Sequence, residues 1–144
     1  IMETLPWSLI CSGIQGPAHG DLVLDNIIVA DDKIVYIDHR PGVVTDVFYD
    51  MCKFYHSLYL HNTNLKSSWR LTNTNVQYTI DLELLHNDNE RIKSFHDTEL
   101  YKWNKRKIEL CVGCIWLSMA PLNVDTELNK FLFLLAMEKF NEQL

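Results

Sequence analysis

Residues His19 to Asn26 read His-Gly-Asp-Leu-Val-Leu-Asp-Asn, and a further aspartate, Asp38, closes an apolar run twelve positions after Asn26. An oxygen-donor set of this kind suits phosphoryl transfer. That reaction asks little covalent chemistry of a protein: catalysis comes from positioning and from cations that neutralise the phosphates. One carboxylate has to orient the acceptor hydroxyl and take its proton. An amide oxygen and a second carboxylate have to hold Mg²⁺, a hard cation that takes oxygen ligands. Asp21, Asn26 and Asp38 are the expected occupants of these places, in that order. Taken alone, Asp21 in a Gly-Asp pair is equally a turn residue; Asn26 downstream and Asp38 at a strand end weight the reading towards function. His19 joins the catalytic set, its expected task being to hydrogen-bond the loop backbone and fix the base. Asp25 is expected to face solvent.

These residues need elements that carry them to one place. Asn26 to Ala30 and Lys33 to Ile37 are β-branched runs separated by Asp31-Asp32, a pattern that predicts a hairpin with a tight turn. Residues 19–26 enter this hairpin and Asp38 leaves it, so Asp21, Asn26 and Asp38 are drawn towards the same end. Before it, residues 11–18 read as a loop rich in Gly, Pro and Ser. Residues 1–10 are mixed and begin with Ile, so a longer natural protein is expected.

After it, Phe48, Met51, Cys52, Tyr55, Leu58 and Tyr59 recur at helical spacing, with Asp46 as N-cap. Residues 61–75, rich in Asn, Ser and Thr, are expected to loop, and residues 76–84 alternate like a strand or exposed edge. A helix is expected to open over 90–95. A long helix follows over 98–119, with Leu100, Trp103, Lys107, Leu110, Cys111, Cys114 and Leu117 near one stripe and Pro121 ending it. The last helix, over 126–141, has Asp125 ahead of it and Leu128, Phe131, Leu132, Leu135 and Met137 as apolar content.

The chain has 144 residues, 47% of them hydrophobic, which is enough for one domain around one core over residues 1–144. No internal repeat or low-complexity tract divides it. A formal net charge of −6 argues against a general nucleic-acid partner. The basic run from Lys102 to Lys107, interleaved with Glu99 and Glu109, reads as a solvated helix face. Cys111 and Cys114 form a CxxC inside an apolar helical pattern, without a second pair at zinc-ribbon spacing, so buried free thiols are expected in a reduced, cytoplasmic setting. His39, His56, His61, His86 and His96 share no metal-ligand spacing, and His96-Asp97 lacks the partners of a phosphohydrolase. Trp103, Trp116, Phe131 and Phe133 are expected in helix packing. The strongest apolar stretch, residues 131–137, is too short to span a bilayer.

Residues 19–26 resemble the HGDxxxxN catalytic loop of kinase-like phosphotransferases of the aminoglycoside phosphotransferase and choline kinase type. Ile34-Val35-Tyr36-Ile37-Asp38-His39-Arg40-Pro41-Gly42 resembles their metal-binding segment, and Tyr49-Asp50-Met51-Cys52-Lys53 resembles the downstream segment whose aspartate, here Asp50, braces the catalytic loop. A narrower likeness is to bacterial phosphotransferases of capsule or surface-polysaccharide synthesis, carried by residues 49–58 and 117–122. The His39-Arg40-Pro41-Gly42 turn departs from the usual pattern, though Arg40 could reach a phosphate or a carboxylate. The resemblance implies an α+β fold, the mainly helical C-terminal lobe of a protein-kinase-like fold with a catalytic β-hairpin. It implies ATP and Mg²⁺ as cofactors, with Asn26, Asp38 and Arg40 on the metal-nucleotide side, and a small-molecule or sugar hydroxyl as acceptor.

Only eighteen residues precede His19, so the resemblance is to the C-terminal lobe alone. An apolar surface is expected beside Asp38 where the N-terminal lobe would sit, covered by that lobe or by self-association. Two other functions stay open: an inactive kinase-like fragment acting as a binding module, and a metal-dependent phosphoesterase.

Overall fold

The computed structural model describes residues 2–40, 42, 46–60, 69–74, 77–82, 86–122 and 125–144, with the backbone path alone at residue 2 and over 69–74, 77–82 and 86–88. The chain is α+β and mostly helical among these residues. A short helix α1 (Trp7–Ile10) is followed by an extended loop and by strands β1 (Ile27–Ala30) and β2 (Lys33–Tyr36). Helix α2 (Val47–Tyr59) leads to β3 (Trp69–Thr74) and β4 (Gln77–Leu82), then to α3 (His86–His96), α4 (Glu99–Met119) and α5 (Thr126–Gln143).

The strands form two separate antiparallel hairpins. In the first, Ile27 pairs with Tyr36 and Ala30 with Lys33, so Asp31-Asp32 is the whole turn, Asp31 taking the left-handed φ of 50° that aspartate tolerates. In the second, Trp69 pairs with Leu82 and Thr74 with Gln77. Reading residues 61–75 as a loop therefore fails at Trp69–Thr74. Thr and Trp favour an extended backbone, and a partner strand overrides the local Asn and Ser content. Residues 61–68, 75, 76 and 83–85 lie outside the described set, and with them the ends of both expected segments.

The helices begin where short polar side chains satisfy their first free N–H groups. Asp46 accepts from Phe48 N, Thr98 from Tyr101 N, and Asp125 from Glu127 N and Leu128 N. Each such cap is worth about 1 kcal/mol. Helix α4 stops at Met119, and a 3-10 turn, Ala120–Leu122, carries Pro121 out of it.

The core lies between α2, α4 and α5. Cys52, Tyr55 and Leu58 of α2 meet Ile108, Val112 and Trp116 of α4 and Phe131, Leu135 and Phe140 of α5 in one buried cluster. Arg106 Nε donates to Gln143 O at 3.2 Å, so the start of α4 meets the end of α5 and the two helices run antiparallel. They approach closely at Gly113, where an added Cβ would lie 2.6 Å from the Phe140 ring. The buried residues of α4 include Tyr101, Ile108, Val112 and Ile115; of the expected stripe, Lys107 and Leu110 are buried, whereas Trp103 is 83% exposed and Leu100 is exposed too. Phe133 also faces out, whereas Trp116 and Phe131 are buried as expected. Within the basic run, Lys102, Lys105 and Arg106 are solvated, but Lys107 is buried with Nζ 4.0 Å from the centroid of the Phe48 ring.

The first hairpin packs little of itself away. Ile28, Val29, Ile34, Val35, Tyr36 and Ile37 are all exposed, Val29 at 73%, on both faces of the ribbon. A two-stranded ribbon is marginal by itself, and this one presents an apolar surface that ends at Asp38. Among the described residues no helix is long and apolar enough to cross a membrane.

Candidate active site

A 3-10 turn, Leu24–Asn26, delivers the chain into β1. Asn26 is buried; its Nδ2 donates to Asp21 O at 2.9 Å and its own backbone O accepts from Ile37 N at 3.0 Å. One side chain and one carbonyl thus tie the start of the loop to the far strand, and Asp38 follows Ile37 directly. Asp38 is exposed with φ 57°, a left-handed conformation costing a non-glycine residue about 1 kcal/mol or more.

Helix α2 holds the other side of the loop with four polar residues. Asp46 Oδ1 accepts from Ile14 N at 2.9 Å. Asp50 Oδ2 accepts from His19 N, and its Oδ1 from Gly20 N at 2.8 Å. Lys53 Nζ lies 2.9 Å from Asp21 Oδ1. Ser57 Oγ accepts from Leu24 N at 3.1 Å. Positions 46, 50, 53 and 57 share one helix face, and they take hold of the loop in chain order. Gly20 has φ 83°, and a Cβ there would lie 2.9 Å from Arg40 O, so this position requires glycine.

Asp21 is the centre of the arrangement. Arg40 Nη2 sits 2.9 Å from its Oδ2 while Lys53 occupies Oδ1. Lys53 is the site residue that reasoning from single motifs misses, and the signal that finds it is its helical phase with Asp50 and Ser57. His19 Nδ1 faces Asp21 N at 3.4 Å, a long contact, and its ring is edge-on to Tyr36 and His39. His19 Nε2 is buried without a hydrogen-bond partner among the described residues. His39 Nε2 lies 3.2 Å from Ala18 O, and Arg40 N donates to His19 O at 2.8 Å, so the segment leaving the hairpin is tied back onto the loop. Asp25 is exposed.

Among the described residues no three His, Cys, Asp or Glu side chains stand together as a metal site. What the loop offers a cation is one carboxylate, Asp38, and one amide, Asn26, whose side chain is fixed through Nδ2. That set fits Mg²⁺ shared with phosphate oxygens, the usual way this ion is held. The four cysteines are free thiols; Cys52 is buried, Cys111 and Cys114 are half-buried, and Cys11 is exposed. Burial pushes the Cys114 thiol up to about 11, and a hydrogen bond with Cys52 lowers that of Cys111.

Next to the site, burial and then Lys53 pull the His56 imidazole down to about 3, against a smaller opposing pull from Asp21. His56 is therefore neutral, and its Nδ1 accepts from Trp116 Nε1 at 2.7 Å. A histidine whose folded value lies below its unfolded one, about 6.5, contributes stability that is complete above pH 6.5 and is lost as pH falls towards 3. Stability is expected to fall by up to about 1.4 kcal/mol per pH unit in that window from this group. His96, also held below its ordinary value chiefly by burial, adds with the same sign. Urea unfolding of wild type and His56→Gln from pH 7.5 to 4.5 checks this: the variant keeps an acceptor for Trp116 and should show a shallower slope. Identical slopes would rule out His56 as a source.

An open cavity of about 660 Å³ reaches the loop at Leu24, floored by Phe54, Leu58 and Phe95 and edged by Arg91 and Thr98. The side chains of residues 61–88 lie outside the described set. Comparison with protein-family models, with curated proteins and with solved structures returned no match.

Proposed function

We propose that this chain carries the phosphoryl-transfer face of a kinase-like, ATP- and Mg²⁺-dependent phosphotransferase that acts on a hydroxyl of a small molecule or sugar. The observation that carries the reading is the convergence on Asp21. Asn26 grips its carbonyl, Asp50 grips the two N–H groups ahead of it, and Ile37 N returns the far strand to Asn26, which leaves Asp38 at the mouth. In this reading Asp21 takes the acceptor's proton, Asn26 and Asp38 hold Mg²⁺, and Arg40 reaches a phosphate. The metal would supply charge neutralisation on the phosphates. The acceptor enters by the cavity at Leu24, whose apolar floor and polar edge suit a ring that carries hydroxyls.

The apolar ribbon beside Asp38 supports the second half of the reading, that a nucleotide-covering lobe or a second copy of the chain covers β1 and β2. A specific observation favours one competitor: both oxygens of Asp21 are paired with cations, as an inactive binding module would tolerate. A dimetal phosphoesterase has no comparable support, since such sites are built from several His and Asp ligands and the described residues bring no three together.

Calorimetry with Mg·ATP tests the reading. Wild type is expected to bind, and Asp38→Ala to weaken binding about a hundredfold by removing the exposed carboxylate ligand. Binding of equal strength in both would sink the assignment of Asp38 and the phosphotransferase reading with it.

A further inference from the structure

The two cations on Asp21 are not equivalent. The Lys53 side chain is 14% exposed and stands midway along α2, on the face that also holds the loop through Asp50 and Ser57. The Arg40 side chain is 62% exposed and leaves the end of the hairpin, beside the proposed phosphate position. A base that is to accept a hydroxyl proton needs one free carboxylate oxygen, and Arg40 fills Oδ2. Moving Arg40 returns a guanidinium to water, where a phosphate chain offers it a bidentate partner. Moving Lys53 would strand a mostly buried ammonium. Its neighbour His56 offers no replacement, because the ring is neutral and Nδ1 is engaged by Trp116.

We propose that Lys53 is a positioning residue that holds Asp21 by Oδ1 throughout turnover, while Arg40 is an exchangeable partner that passes from Oδ2 to the incoming phosphate. The inference rests on the phosphotransferase reading. In the step it serves, the acceptor oxygen bonds to the γ-phosphorus, the bond from that phosphorus to the departing ADP oxygen breaks, and the acceptor proton goes to Asp21 Oδ2. Lys53 keeps the carboxylate plane fixed and stays out of the bond changes.

Mg·ATP hydrolysis by the whole chain, with water standing in for the acceptor, separates the two roles. Lys53→Met is expected to lower kcat about a hundredfold with little change in the KM for ATP, and Lys53→Arg to regain about a tenth of wild-type kcat. Arg40→Gln is expected to raise KM about tenfold, with a smaller loss of kcat than Lys53→Met. Loss through KM for Lys53→Met, or Lys53→Arg no better than Lys53→Met, would overturn the proposal.

A second measurement does not need turnover. In urea unfolding, double-mutant cycles with Asp21→Asn should couple Asp21 to Lys53 by about tenfold in the unfolding constant, and to Arg40 by about twofold or less. Equal couplings overturn the division of roles even in a chain that hydrolyses no ATP. Nucleotide binding that ignores Asp38, by contrast, defeats the phosphotransferase reading and leaves the unequal couplings standing.

Discussion

Asp50→Ala is expected to cost about 3 kcal/mol of folding stability and to release the loop that carries Asp21. The carboxylate is buried and accepts from two consecutive backbone N–H groups, those of His19 and Gly20. Alanine leaves both donors without an acceptor, and each orphaned donor costs about 1–3 kcal/mol. Asp50→Asn keeps one oxygen and turns an amide NH₂ towards the other donor, so it should cost nearly as much. Urea denaturation gives the size of the effect. Amide exchange locates it: Gly20 should exchange about a hundredfold faster relative to core amides of α4. A change within about 0.5 kcal/mol of wild type would mean that water replaces the carboxylate and that the grip is not structural.

The same residue shows which parts of the site are readable in a sequence and which are not. The hairpin is legible because two β-branched runs flank Asp31-Asp32 and nothing competes with them. The three long helices are legible because apolar residues recur along them, with Asp46 and Asp125 placed ahead of two of the runs. Asp21, Asn26 and Asp50 come into view because their spacing is short or their segment is recognisable. Lys53 does not, since its partner lies 32 positions upstream and only the helix period links it to Asp50 and Ser57. Trp103 misleads for the reverse reason. Its type favours burial, but it sits on the wrong side of a helix whose depth is set by Gly113 against Phe140. Strand Trp69–Thr74 is hidden because its composition is ambiguous until Gln77–Leu82 pairs with it. What escapes the sequence in each case is a relation between elements, whereas what it displays is a property of one.

That distinction matters most for Glu109, a carboxylate that looks like part of a solvated helix face and is buried instead. Its Oε1 accepts from Tyr101 Oη and from Tyr55 Oη at 2.9 Å, and Lys139 Nζ of α5 lies 2.8 Å from Oε2. Tyr55 Oη continues the network to Tyr59 Oη at 3.0 Å and to His96 Nε2 at 2.6 Å, so helices α2, α3, α4 and α5 meet on one buried charge. Burial pushes the Glu109 carboxyl up, but the bonds from Lys139 and the tyrosines outweigh it and leave it below the ordinary carboxylate range. Lys139 is raised, burial opposing and Glu109 prevailing. Glu109→Ala is therefore expected to cost about 3 kcal/mol, because it leaves a largely buried ammonium facing only the half-exposed Glu142, 3.7 Å away, among the described residues and takes the carboxylate from two phenols. Glu109→Leu combined with Lys139→Met should recover part of that loss, since no unpaired charge remains. The pH limbs follow from the directions. Glu109 contributes fully above the unfolded carboxylate value and loses its contribution as pH falls through its lower folded value; Lys139 contributes fully below its unfolded value and loses it as pH rises through the higher folded one. Urea unfolding of the three proteins across pH tests the account. If the double variant is no more stable than Glu109→Ala, removing the ammonium recovers nothing, and the ion pair across α4 and α5 is not what holds them together.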